Sequence, residues 1–280
     1  MLDNETIKKI EDFCVTKPRS IQEIAKHLKK NWRTIDRYIT AIKKEYGTLD
    51  TRTFREGTRG ALKIVYYSAV ENFSGTVFQQ ELEKDIFKGR EKTDFAAFDI
   101  FQFIAPKEKE VWVGRGVNEC KTGRLKEFRK ILEGAKKQIL FFSGNLSFIN
   151  FKDKESNIFN VLEELVKKGV SMKIVCRVDI GGIKNVRKML SLNHKYGKEL
   201  IKIRHRNQPL RATIIDDTLV NINEIKEPSD RVGEFDEKIF LFYAIKNKPW
   251  IKWLTQIFWR MYNSSISSEK RLEEIEKLSL

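Results

Sequence analysis

Residues 20–67 read SIQEIAKHLKKNWRTIDRYITAIKKEYGTLDTRTFREGTRGALKIVYY. Ser20 followed by Glu23 is an S-x-x-E capping box, which predicts that a helix opens here. Ile21, Ile24, Ala25 and Leu28 give that helix its apolar face. Lys29, Lys30 and Asn31 make the turn, and Asn31 is a good cap for a second helix over about 32–46. Ile35, Ile39 and Ile42 recur at i, i+4 and i+7, so this helix turns them inward and leaves Arg33, Asp36, Arg37, Thr40 and Lys44 outside, with Trp32 at its exposed start. Two β-rich segments, 51–55 and 61–67, then flank the Gly-containing tip 56–60. Leu62, Ile64 and Tyr66 alternate with Lys63 and Val65, the pattern of a half-buried strand.

Charge gives this helix-turn-helix and wing a function. The chain of 280 residues carries a net charge of +15 with an isoelectric point near 9.6. Between Lys17 and Lys63 stand 13 Lys and Arg against 5 Asp and Glu, so over half of the excess lies on this motif. A basic patch on such a motif points to a polyanionic partner, double-stranded DNA first. The candidate contacts are Lys29, Lys30, Trp32, Arg33, Thr34, Arg37, Thr40 and Lys44 from the turn and helix, and Arg55, Thr58 and Arg59 from the wing. N-terminal side chains of a recognition helix reach base edges, while wing arginines hold phosphate or the minor groove. The alternative is an ordinary solvated polar face.

Outward from the motif, Ile7, Ile10 and Phe13 predict a preceding helix over 4–14. After it, Val77, Phe78, Leu82 and Ile86 form a narrow apolar seam, which either pairs two chains as a homodimer or packs on the chain's own second half. A helix is expected over 94–104, its four phenylalanines marking burial. From about Val111 helices and apolar strands alternate: helix 125–135, strand 138–143, helix 158–168 ended by Gly169, strand 172–177, helix 183–191, strand 200–204, a strand pair 210–216 and 218–223, and strand 239–245. Pro249 then opens a helix whose Trp250, Trp253, Leu254, Ile257, Phe258 and Met261 have core spacing. The run SSISS at 264–268 reads as a hinge, and 269–280 as a weakly helical charged tail.

The succession GAKKQILFFSGN, NVLEELVKKGVSMKIVCRV and RHRNQPLRATIIDDTLVNIN, ending in the Trp-rich helix, resembles the phospholipase D-like fold. With the winged helix in front, the order is similar to archaeal TrmB-like transcription regulators. The expected fold class is α+β / α/β: winged helix-turn-helix over 1–69, helical linker or dimerisation segment over 70–110, phospholipase D-like α/β sandwich over 111–263, and tail over 264–280. Active members of that fold carry H-x-K-x4-D followed by G-S-x2-N, the His as nucleophile toward phosphorus and the Lys on phosphate oxygens. Here Leu210 and Ala212 stand for His and Lys, Asp217 for Asp, and Glu224-Ile225 for Gly-Ser. The resemblance therefore implies a degenerate site and a chain that is not an enzyme. Arg204, Arg206 and Arg211, with His205 among them, make a basic group that either receives an anionic ligand or is a solvated strand edge.

Composition bounds the rest. No apolar run nears the ~20 residues of a membrane span, and the start has no apolar leader, so a cytoplasmic, nucleoid-associated protein is expected. The three cysteines, Cys14, Cys120 and Cys176, make no CxxC and no disulfide framework. No cofactor and no metal is expected. The expected partners are double-stranded DNA, a second copy of the chain and a small-molecule effector, without a membrane. The leading reading is a transcription regulator. An architectural protein that coats DNA and a divergent phosphodiesterase or nuclease are the alternatives.

Overall fold

Asp3 starts the first helix, α1 (Asn4–Thr16), by accepting the Thr6 N–H at 2.6 Å. After a two-residue strand, β1 (Arg19–Ser20), the expected capping box opens α2 (Ile21–His27). The Ser20 hydroxyl accepts the Glu23 N–H at 3.1 Å, and the Glu23 carboxylate accepts the Ser20 N–H at 2.7 Å. Lys29 sits in the left-handed region at φ 51°, which tightens the turn, and Asn31 accepts the Arg33 N–H at 2.8 Å to open α3 (Trp32–Glu45). Strands β2 (Leu49–Phe54) and β3 (Leu62–Tyr67) pair antiparallel, Phe54 opposite Leu62, and β1 joins the other edge of β3. This is a computed structural model, and it describes residues 2–45, 48–54, 61–67, 75–152, 157–228 and 238–278.

The sequence pattern predicts one dry face for β3, and the strand has two. Val65 is fully buried among Ile10, Ile24, Ile35, Ile39 and Ile42, the core of the three helices. Leu62 and Ile64 point the other way, into a core shared with Phe98, Ile100 and Tyr243. The wing sheet is thus held between the helix-turn-helix and the second half of the chain.

The connecting helix α4 (Gly75–Lys88) settles its own seam. Leu82 and Ile86 are buried in that shared core, and Phe78 lies 4.9 Å from Phe103, ring to ring. They pack inside their own chain, so the seam no longer argues for a homodimer; the side chain of Val77 lies outside the described residues. The helix expected over 94–104 shrinks to one turn, α5 (Phe98–Phe101). Asp94 instead accepts the N–H groups of Arg90 and Glu91 at 2.8 and 3.0 Å, closing a turn, and Phe95, Phe98 and Phe101 are all buried.

The second half is an eight-stranded mixed sheet. Its elements are β4 (Lys109–Arg115), α6 (Gly116–Glu133), β5 (Gln138–Phe142), α7 (Ile158–Lys167), β6 (Ser171–Cys176), α8 (Ile183–Tyr196), β7 (Ile201–His205), β8 (Ala212–Ile215), β9 (Leu219–Lys226), β10 (Ile239–Ile245), α9 (Lys248–Asn263), β11 (Ile266–Ser267) and α10 (Ser268–Leu278). The strand order is β11-β7-β6-β5-β8-β9-β10-β4. Pairings β5–β6 and β6–β7 are parallel and the others antiparallel. One face of the sheet carries α9 with the α4–α5 segment; the other carries α6, α7, α8 and α10. The chain therefore has the expected mixed α+β class.

Five elements of this half differ from expectation, the first being α6, which starts at Gly116 and not near 125. Strand β4 was not foreseen; it completes the edge beside β10, with Trp112 41% exposed. Helix α8 runs on to Tyr196, stopped by Gly197 at φ 61°, so His194 is in its last turn and not in a connection. The expected hinge is instead β11 against β7, with Ser268 fully buried. The expected weakly helical tail is α10, anchored by Ile275 in the core. Among the described residues no helix is long and apolar enough to cross a membrane.

Candidate nucleic-acid interface

Packing on one side of α3 decides what stands on the other. Ile35, Ile39 and Ile42 are fully buried, so Arg33, Arg37 and Thr40 are exposed, as are Lys29 and Lys30 in the turn before. Trp32 and Thr34 are half-buried. The Arg33 guanidinium lies 5.4 Å over the Trp32 ring and that of Arg37 lies 6.0 Å over Tyr38. Both guanidiniums lie over aromatic rings, and neither has an ion-pair partner among the described residues. Their fork of donors is available to an anion.

Two side chains of this face are already engaged. Lys63 Nζ donates to Asp36 Oδ1 at 2.6 Å, tying α3 to the wing strand β3 and neutralising the carboxylate in the middle of the face. The Thr40 hydroxyl donates to the Asp36 carbonyl at 2.8 Å, which leaves it only acceptor capacity outward. Lys43 is paired with Asp50. The side chain of Lys44 and the whole of Arg55, Thr58 and Arg59 lie outside the described residues. Arg52, within β2 of the same hairpin and opposite Ile64, is turned inward, 5.2 Å over the Phe101 ring.

The basic trio of the second half does not come together. Arg204 donates to the Ser265 carbonyl at 2.9 Å and lies 5.1 Å over Tyr262. Arg206 donates to Ser264 Oγ at 3.0 Å and shares the Phe87 ring with Arg260. Both fasten the end of α9. Arg211 stands apart, donating to the carbonyls of Gln208 and Leu210 at 3.2 and 2.8 Å, with its guanidinium against Gly144. His205 accepts the Val178 N–H on Nδ1 at 2.9 Å, and burial lowers its pKa.

Leu210 and Ala212 are 2% and 3% exposed and belong to the core under α4 and α9. Asp217 accepts the Thr255 hydroxyl at 3.2 Å, but the structural carboxylate of this hairpin is its neighbour. Asp216 accepts the N–H groups of Lys136, Lys137 and Gln138 at 2.5, 2.9 and 2.8 Å; burial opposes its charge, and these bonds outweigh it to lower its pKa. Glu224 is buried too, accepting from the Tyr243 hydroxyl at 3.1 Å and pairing with Lys226 at 2.5 Å. Sequence alone showed neither role, because both depend on partners about 20 to 80 residues away.

No family model matches the chain, and no curated protein matches it. Solved structures similar to the chain include three from different proteins. Nuc, a phospholipase D family member from Salmonella typhimurium, is 17% identical with a TM-score of 0.41, over 57% of this chain and 98% of its own. NucT from Helicobacter pylori is 13% identical with a TM-score of 0.40, over 57% and 99%. TrmBL2, described as an archaeal chromatin protein with a novel mode of DNA binding, is 16% identical with a TM-score of 0.39, over 89% and 88%. The expectation that the chain is not an enzyme is corrected on the first two of these. Losing one His-x-Lys pair removes one arrangement of nucleophile and cation, not every arrangement a sheet can present.

Proposed function

We propose that this protein is a transcription regulator that binds double-stranded DNA through α3, with the wing beside it and a second half that senses a small molecule. The observation that carries the reading is the outward face of α3: Arg33 and Arg37 exposed, their guanidiniums over the Trp32 and Tyr38 rings, without ion-pair partners among the described residues. A helix of 14 residues is about 21 Å long and fits a major groove about 12 Å wide. The Asp36–Lys63 pair supports it further, because a free carboxylate at that place would repel phosphate. In this reading Lys29 and Lys30 meet the backbone, and Arg55, Thr58 and Arg59 extend the contact from the wing.

The test is a fluorescence-anisotropy titration of genomic and random duplexes at two salt concentrations. Arg33→Ala and Arg37→Ala are each expected to weaken binding by about 1–3 kcal/mol where the side chain reads a base edge. Affinity should also fall steeply with salt, because phosphate contacts release counterions. Unchanged affinity in the double variant would overturn the assignment of α3. Equal affinity for every duplex would replace the regulator with a protein that coats DNA.

A further inference from the structure

We propose that the second half binds a small molecule with a flat apolar body and a single carboxylate or phosphate, in the cavity between the sheet and α6. This deepens the ligand-sensing part of the reading above and does not depend on DNA binding. The cavity encloses about 350 Å³, within the ~300–1,000 Å³ of small-molecule sites. Arg211, Ala212 and Thr213 all line it, while Leu210 does not. Successive strand residues point to opposite faces, so Arg211 and Thr213 turn to this side, where Phe141 is paired with Thr213.

Its walls are apolar. Phe128, Phe141, Phe148 and Phe240 line it, and Phe151 stands at the edge of the lining, 39% exposed. Phe148 sits 5.2 Å from Phe141 and 5.8 Å from Phe128, ring to ring. These rings pack on one another and form one aromatic wall, against which a flat apolar body can lie.

The charged side chains of its lining are all cationic. Arg211, Arg177 and Lys92 all line the cavity. Arg177 is paired with Asp179 at 2.6 Å, and Lys92 with Glu227 at 3.4 Å. Arg211 makes no ion pair among the described residues, although it is half-buried and feels the positive charge of Arg177. Two guanidiniums held near one another, one of them without an ion pair among the described residues and only Glu91 acting on it from farther off, are a place where an anion is stabilised. Gly144 makes room for it: a Cβ there would meet the guanidinium at 3.1 Å. Asn223 lines the same cavity and its side-chain amide has no partner among the described residues, so it can fix the head group.

The experiment is isothermal titration of the full chain, without DNA, with 1-naphthoate, 1-naphthyl phosphate, the neutral 1-naphthalenemethanol and inorganic phosphate. At least one of the two aromatic anions should bind, with the neutral analogue and inorganic phosphate each at least about tenfold weaker, the weight of a charge-assisted hydrogen bond. The stronger aromatic anion identifies the head group. Arg211→Gln should weaken it about ten- to a hundredfold, and Arg211→Lys less. The exposed Phe151→Ala is a second variant that leaves the core untouched and should also weaken binding. Binding unaffected by either Arg211→Gln or Phe151→Ala, equal binding of the neutral analogue, or no binding of either anion at millimolar concentration would overturn the proposal.

Discussion

At the scale of the residue, Asp99 shows how position rewrites chemistry. It stands in the shared core with its carboxyl pushed up to about 7, first by burial and next by the charge of Glu224, against which Lys226 and Lys17 act. The folded protein favours its neutral form. That contribution is whole below the ordinary value of 3.8 and is lost as pH rises through 7. Asp99→Asn should therefore raise stability by about 2 kcal/mol at pH 8 and hardly at all at pH 4, a figure reduced from the full shift because the side chain still meets solvent. Denaturant unfolding at the two pH values measures it. An equal effect at both would show that the carboxyl titrates normally. Cys14 and Cys176 obey the same rule, burial pushing each thiol up to about 12.

At the scale of the element, the second helix is set by its first residue. Ser20 ends β1 and caps α2 at once, so its reciprocal bond with Glu23 fixes where strand gives way to helix. Ser20→Ala should lower stability by about 1 kcal/mol, the usual worth of a cap, and shorten amide protection in α2. Urea unfolding with hydrogen exchange checks this; full protection at Glu23 would count against the cap. Strand β3 teaches the opposite lesson. Its alternation reads as half-buried, but Val65 and Ile64 are dry for different reasons, one facing three helices and one facing a second core. Period two states which side chains share a face and not how many faces are covered.

At the scale of the whole molecule, the shared core argues for one folding unit. Phe54, Leu62 and Ile64 of the wing sheet lie in the same core as Phe98 of α5 and Tyr243 and Phe258 of the second half. The Phe54 ring meets Phe98 edge-on at 6.0 Å. Phe54→Ala should cost about 3–5 kcal/mol, the range for emptying a buried aromatic site. Trp32 reports on the helix-turn-helix and Trp250 and Trp253 on α9, so fluorescence of single-tryptophan variants follows each half. Coincident transitions are expected; two separate ones would mean that the wing contacts do not couple the halves.

Local order was legible in the residues. The S-x-x-E box, the Lys-Lys-Asn turn, the isoleucine stripe of α3 and the core spacing of α9 each depend on neighbours within a few turns, and each is where the sequence puts it. So is the face of α3 on which the proposed DNA contacts stand, because burying Ile35, Ile39 and Ile42 leaves the rest no other direction. Only tertiary structure decided that the α4 seam is spent inside its own chain, that Ile275 docks a charged tail, and that Arg211 parts from Arg204 and Arg206. In each case the partner is distant in sequence, and alternation along a strand sends adjacent side chains to opposite sides of the sheet. A cluster of like residues in the chain is then divided among separate environments in space.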